Sequence, residues 1–144
     1  MKIEDIQSVR DFNRFYTNII GLLDNHILDS SYSLPEARVL FELNRQSSCT
    51  AREILNVIKI DKSYLSRMLT QFESSGLIRK KTSAEDGRAV QLTLTPKGKK
   101  AAYELDTASI LQIKNMLKPI SDQAQQQLLL HLQKIKLILS NPLT

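Results

Sequence analysis

The sequence predicts a mainly α-helical fold carrying one small β-hairpin, and three observations predict it. Only four glycines and four prolines occur in 144 residues, too few to punctuate an all-β chain. Apolar residues recur at spacings of three and four along most of the chain, the period of an amphipathic helix. Between Ile78 and Leu94 the period shortens to two, as in half-buried strands.

The elements follow in order. Val9, Phe12, Phe15/Tyr16, Ile19/Ile20, Leu23 and Ile27 trace one face of a long first helix, which Asp29-Ser30-Ser31-Tyr32 breaks. Ser33-Leu34-Pro35-Glu36 opens a second: Ser33 can cap, Glu36 can reciprocate, and proline fits the first turn, where its missing N–H has no helical partner to lose. Its expected apolar face is Leu34, Ala37, Leu40/Phe41 and Leu43/Asn44, and Asn44 to Ser48 ends it. Thr50-Ala51-Arg52-Glu53 is another capping box, starting a short third helix with Ile54, Leu55 and Ile58 inward. Asp61 caps a fourth, with Leu65, Met68, Leu69 and Phe72 inward and Gly76 just past its end. Two strands, Ile78 to Thr82 and Ala89 to Leu94, are joined through Asp86-Gly87-Arg88. Thr95-Pro96 starts a fifth helix running to about Leu117, and Ser121-Asp122 a sixth, with Leu128, Leu129, Leu132, Ile135 and Leu139.

Composition narrows the function. Hydrophobic (42%) and charged (24%) contents are those of an ordinary globular protein, which argues against global disorder. No apolar run is long enough to span a bilayer, and the start Met1-Lys2-Ile3-Glu4-Asp5 is polar and acidic where a secretory signal is basic and then apolar, so a cytoplasmic protein is expected. Cys49 is the only cysteine; with two distant histidines, His26 and His131, it cannot build a finger-type zinc site, and it reads as a small buried residue at a turn. No nucleophile–base pair, metal cluster or phosphate-cradling glycine loop is present, so neither an enzyme nor a metal or cofactor site is expected.

The net charge of +5 is concentrated. Between Arg52 and Lys100 eleven Lys/Arg face five Asp/Glu, a net +6, whereas the remainder of the chain carries −1. A surface built only for solubility mixes its signs; a basic block points to a polyanionic partner. Two short helices, a tight turn and a basic hairpin within this block form the layout of a winged helix-turn-helix. The fourth helix presents Lys62, Ser63, Tyr64, Ser66, Arg67, Thr70 and Gln71 outward, side chains able to meet base edges or phosphates. Arg67 can grip guanine O6 and N7 together. Arg88 stands at the hairpin tip with Asp86 placed to orient it, and an arginine on a narrow loop suits the negative potential of the minor groove. Taken alone, that tripeptide reads as an ordinary polar turn. Lys80 and Lys81 on the hairpin arm are expected at phosphates.

The residues resemble the MarR family of bacterial regulators. The likeness runs through Leu34-Pro35-Glu36-Ala37-Arg38-Val39-Leu40, Thr50-Ala51-Arg52-Glu53-Ile54-Leu55, Ser63-Tyr64-Leu65-Ser66-Arg67, Phe72 to Arg79, Asp86-Gly87-Arg88 and Leu92 to Gly98. It implies a single domain over 1–144: a winged helix-turn-helix DNA-binding lobe at 33–95, and a helical dimerisation region made of 1–30 and 96–144. It further implies a transcriptional regulator, by family default a repressor. As a homodimer it reads the major groove of a palindromic operator with Ser63, Tyr64, Ser66 and Arg67 and enters the minor groove with Arg88, which Asp86 positions. Family members often bind small anionic aromatics, for which Tyr16, His26, Tyr32 and Arg38 are candidate contributors, each with a core or interface role as the alternative.

Two further readings belong here. Leu137-Ile138-Leu139 makes the sixth helix apolar on more than one stripe, a surplus that a partner subunit would bury. The opening Val9 to Tyr16 and Ile20-Gly21-Leu22-Leu23 are similar to MarR-type modules that precede a GNAT acetyltransferase domain, so the alternative is a regulatory module of a larger acetyltransferase protein.

Overall fold

A computed structural model describes residues 2–21, 27–82 and 89–140. The elements are α1 (Ile3–Ile19), α2 (Leu34–Arg45), β1 (Cys49–Thr50), α3 (Ala51–Val57), α4 (Lys62–Ser74), β2 (Ile78–Thr82), β3 (Val90–Leu94), α5 (Pro96–Leu117) and α6 (Asp122–Ser140), with a 3₁₀ turn at Ile27–Asp29. The fold is mainly helical with a small wing, the class expected.

The helix starts fall where the polar signals place them. Glu36 accepts from the Ser33 N–H at 2.8 Å. Glu53 accepts from the Thr50 N–H at 2.6 Å, while the Glu53 N–H donates to Thr50 Oγ1 at 3.3 Å. Asp61 Oδ1 takes the Tyr64 N–H at 2.9 Å, and Thr95 Oγ1 takes that of Gly98 at 3.0 Å. Each bond satisfies a donor that the first helical turn leaves free. Gly76 follows α4 at φ +73°, a left-handed conformation open to glycine without steric cost.

The chain divides into two compact units, residues 1–109 and 110–144. In the first, Val39, Leu40 and Leu43 of α2, Ile54 of α3, and Leu65, Met68, Leu69 and Phe72 of α4 close a core with Leu77, Ile78 and Leu92. The first half of α5 adds Ala101, Ala102 and Leu105. That burial is why the division falls within α5, rather than at residue 96 where the dimerisation region was expected to begin. In the second unit, Gln125 Nε2 donates to the carbonyls of Leu117 (3.1 Å) and Ile120 (2.8 Å), closing the turn into α6.

Three features depart from expectation. The wing is a three-stranded antiparallel sheet, order β1-β3-β2, because Cys49 and Thr50 pair with Leu92 and Gln91; two residues are too few to show a strand period. α1 ends at Ile19, with Gly21 at φ +64°, so Ile27 belongs to a separate turn, while Leu23 lies outside the described residues. On α2 the buried face is Val39, Leu40, Glu42 and Leu43, whereas Leu34 and Phe41 are exposed. Glu42 is tolerated there because two arginines reach it: Arg38 lies 3.0 Å from Oε1, in charge contact without hydrogen-bond alignment, and Arg45 bonds Oε2 at 3.5 Å. Both guanidinium groups also stand over the Phe41 ring, at 5.7 and 6.0 Å.

None of α1 or α6 is buried. Ile3, Val9, Phe12 and Phe15 in the first unit, and Leu129, Leu137, Ile138 and Leu139 in the second, are exposed apolar side chains. No helix among the described residues is long and apolar enough to cross a membrane.

Candidate nucleic-acid interface

The exposed side of α4 resolves into three stripes, set by 3.6 residues per turn. Core residues Leu65, Met68, Leu69 and Phe72 occupy one side. Opposite them, Ser63, Arg67 and Thr70 form the central exposed stripe. Lys62, Ser66 and Glu73 run along the edge facing the wing, and Tyr64 and Gln71 along the edge facing the start of α2. Arg67 has no ion-pair or hydrogen-bond partner among the described residues, so all five of its donors are available. Tyr64, 37% exposed, borders a hollow of about 310 Å³ with Ser33, Glu36, Arg67, Met68 and Gln71.

Between α3, the wing-facing edge of α4 and the strands lies a groove of about 580 Å³. Leu55, Leu65, Leu69 and Leu92 make it apolar, and Arg52, Lys62 and Lys80 bring cations to its lining. The register of the wing separates the two lysines that the sequence treats alike. Ile78, Lys80 and Thr82 pair with Leu94, Leu92 and Val90 and share one face, which Ile78 and Leu92 turn toward the core. Arg79 and Lys81, paired with Thr93 and Gln91, point from the other face and are exposed. Lys80 Nζ lies 2.6 Å from a Glu73 carboxylate oxygen, joining β2 to α4.

Asp86 and Arg88, the expected tip residues, lie outside the described residues, as does His26. Tyr16 stacks on Phe12 at 5.6 Å. Tyr32 lines a hollow of about 280 Å³ with Leu28, Ala101, Glu104 and Leu105, and burial, then Glu104 and Glu36, push its phenol upward. Arg38 borders a second hollow of about 280 Å³ with Leu34, Phe41, Ala102 and Asp106, its guanidinium held by Glu42. Tyr32 and Arg38 thus line different hollows.

Sequence reasoning missed Arg79 and Glu73, and gave Thr95 only as a helix cap. Strand alternation holds a signal for the first, since it places Arg79 with Lys81 and against Lys80. Glu73 is an acid within a basic block, and its sequence position shows no link to Lys80. Thr95 does more than cap: its hydroxyl donates to the Gly76 carbonyl at 2.6 Å, and its N–H donates to that of Leu77 at 2.9 Å. Together with Lys97 Nζ on the Ser75 carbonyl (2.7 Å), it latches the start of α5 to the turn that follows α4.

Residues 32–90, which hold α2 to β2 and reach the start of β3, match the MarR family. Among related proteins, the HTH-type transcriptional regulator BilQ of Clostridioides difficile is 25% identical over 97 residues, 67% of this chain and 66% of that protein. Across the curated relatives, the match spans 59 to 66% of the relative's length. In fold, this chain is similar to Streptococcus pneumoniae FabT, solved in complex with DNA, at TM-score 0.81 and 16% identity, covering 94% of this chain and 98% of that one. It is also similar to Bordetella bronchiseptica BpsR, whose DNA binding is regulated by 6-hydroxynicotinic acid (TM-score 0.71, 19% identity, 90% and 98% covered).

Proposed function

We propose that this chain is a regulator of the MarR family: a sequence-specific, double-stranded DNA-binding transcriptional regulator, acting as a homodimeric repressor that a small ligand releases. The observation that carries the reading is the central stripe of α4: Ser63, Arg67 and Thr70 stand exposed, with the Arg67 guanidinium unpaired among the described residues, beside a hairpin arm bearing Arg79 and Lys81. Lys62, Ser63, Tyr64, Ser66 and Arg67 are the major-groove side chains, Lys81 meets phosphate, and Arg88, oriented by Asp86, is the minor-groove anchor. The lobe at 33–95 binds DNA. The terminal regions, 1–30 and 96–144, dimerise, a reading supported by the exposed apolar residues of α1 and α6. Two-fold symmetry then presents two α4 helices to half-sites about 34 Å apart on a palindrome. Release by a small molecule is supported by the likeness to BpsR and by the hollows beside Tyr32 and Arg38.

The test is a gel shift of the full chain with duplex DNA from upstream of its own gene, against random duplex, at two salt concentrations. The expected result is a shift that weakens with salt and that random duplex competes poorly. Equal binding to both duplexes, or none, would overturn the reading. Sedimentation of the free protein should give twice the mass of the chain; a monomer would remove the dimer.

A further inference from the structure

We propose that Lys80 is a strut and not a phosphate contact, and that the two cations β2 turns toward the DNA backbone are Arg79 and Lys81. The inference rests on the DNA-binding reading and assigns its parts within the wing.

The register carries the argument. Lys80 is paired with Leu92 on the face that Ile78 and Leu92 turn inward, so its aliphatic stem runs beside the apolar groove under α4. Its ammonium ends 2.6 Å from Glu73, on the edge of α4 that faces the wing. The lysine side chain is 30% exposed and the glutamate 44%, so both keep some water, but each neutralises the other. Seen from a phosphate, the pair carries no net charge. For Lys80 to bind DNA, it would have to leave a carboxylate that stays beside it and repels the same phosphate. Arg79 and Lys81 carry no such restraint: they are exposed on the opposite face, with no ion pair among the described residues. The pair therefore holds the wing strand against the recognition helix, while the alternate positions supply the charge.

Counterion release gives the experiment, because log K falls with log salt at a slope of about −0.9 per phosphate neutralised. The full chain is titrated onto a fluorescent random-sequence duplex of about 30 base pairs between about 50 and 200 mM salt. Arg79→Ala and Lys81→Ala should each make the slope shallower by about 1. Lys80→Met combined with Glu73→Gln, which keeps both stems and removes the two opposite charges together, should leave the slope at the wild-type value. Glu73→Gln alone should steepen it, because the released ammonium then counts. A double-variant slope as shallow as that of Lys81→Ala would overturn the assignment, as would a Glu73→Gln slope unchanged from wild type. Salt-insensitive binding by the wild-type chain would instead overturn the DNA-binding reading, and this assignment with it.

Discussion

The α-carbon of Gly98 sits so close to the backbone of Leu77 that a Cβ added there would stand 2.0 Å from the Leu77 carbonyl oxygen. That oxygen is already fixed by the Thr95 N–H at 2.9 Å. The contact is backbone on backbone, so no side-chain rotation can relieve it.

Gly98→Ala should therefore destabilise the fold, by about 1–3 kcal/mol if it behaves as an overpacked core site. The sign is the informative part. In an unconstrained helix interior, alanine is favoured over glycine by about 1 kcal/mol, so loss of the close approach would make the variant more stable. Urea unfolding monitored by circular dichroism separates the two outcomes.

The fold was legible in the sequence wherever a short-range signal sets it. Thr50 with Glu53, Asp61, and Thr95 before Pro96 mark helix starts through bonds spanning three residues, and the structure has each of them. What was not legible depends on residues far apart in the chain. Strand β1 exists because Cys49 lies opposite Leu92, and the Glu73–Lys80 pair exists because α4 packs along β2. Glu42 illustrates a different limit. A carboxylate in the apolar face of a helix breaks the hydrophobic pattern, and only the flanking Arg38 and Arg45 explain its burial. On the exposed side of α4, sequence identified the polar residues; their division into central and edge stripes needed the neighbouring elements.

The capping box of α3 predicts an acid-sensitive contribution to stability. The Thr50 backbone N–H, then its hydroxyl, stabilise the Glu53 carboxylate and lower its pKa below the usual 4.5. A carboxyl whose folded pKa is depressed adds stability that is complete above its unfolded pKa and is lost as pH falls through the folded one. Glu53→Gln should therefore flatten the dependence of unfolding free energy on pH below about 4.5 and leave its slope near neutrality unchanged. Thr50→Ala should cost about 1 kcal/mol at neutral pH through the lost cap. Urea titrations from pH 3 to 7, on the order of one per pH unit, would show both.

Cys49 is 1% exposed in β1, and burial, followed by the nearby Glu53 and Glu42 charges, raises its thiol pKa. Each of these influences disfavours the thiolate, which is the reactive form. In native protein at neutral pH, a disulfide reagent should modify Cys49 far more slowly than in urea, where the thiol is exposed. Equal rates in the two conditions would mean that β1 opens readily and that the thiol is available for redox chemistry.

Arg67 provides the sharpest test of sequence reading. The arginines of α2 are engaged internally, Arg38 and Arg45 with Glu42 and over Phe41. Arg67 instead stands on the central stripe of α4, between Ser63 and Thr70, with no partner among the described residues. A guanidinium free to present two parallel donors matches guanine O6 and N7, and the loss of such a pair costs about 1–3 kcal/mol. Arg67→Ala should therefore bind its selected site about 5- to 150-fold more weakly while binding random duplex nearly as well as wild type, the fold-change being that free energy converted at 25 °C. Lys81→Ala should weaken both alike, because a phosphate contact is blind to sequence. Selection from a randomised duplex library, run with each variant, would show a relaxed base preference at one position per half-site for Arg67→Ala alone. Uniform weakening by Arg67→Ala would place that guanidinium on phosphate and leave the reading of bases to Ser63, Tyr64 and Ser66.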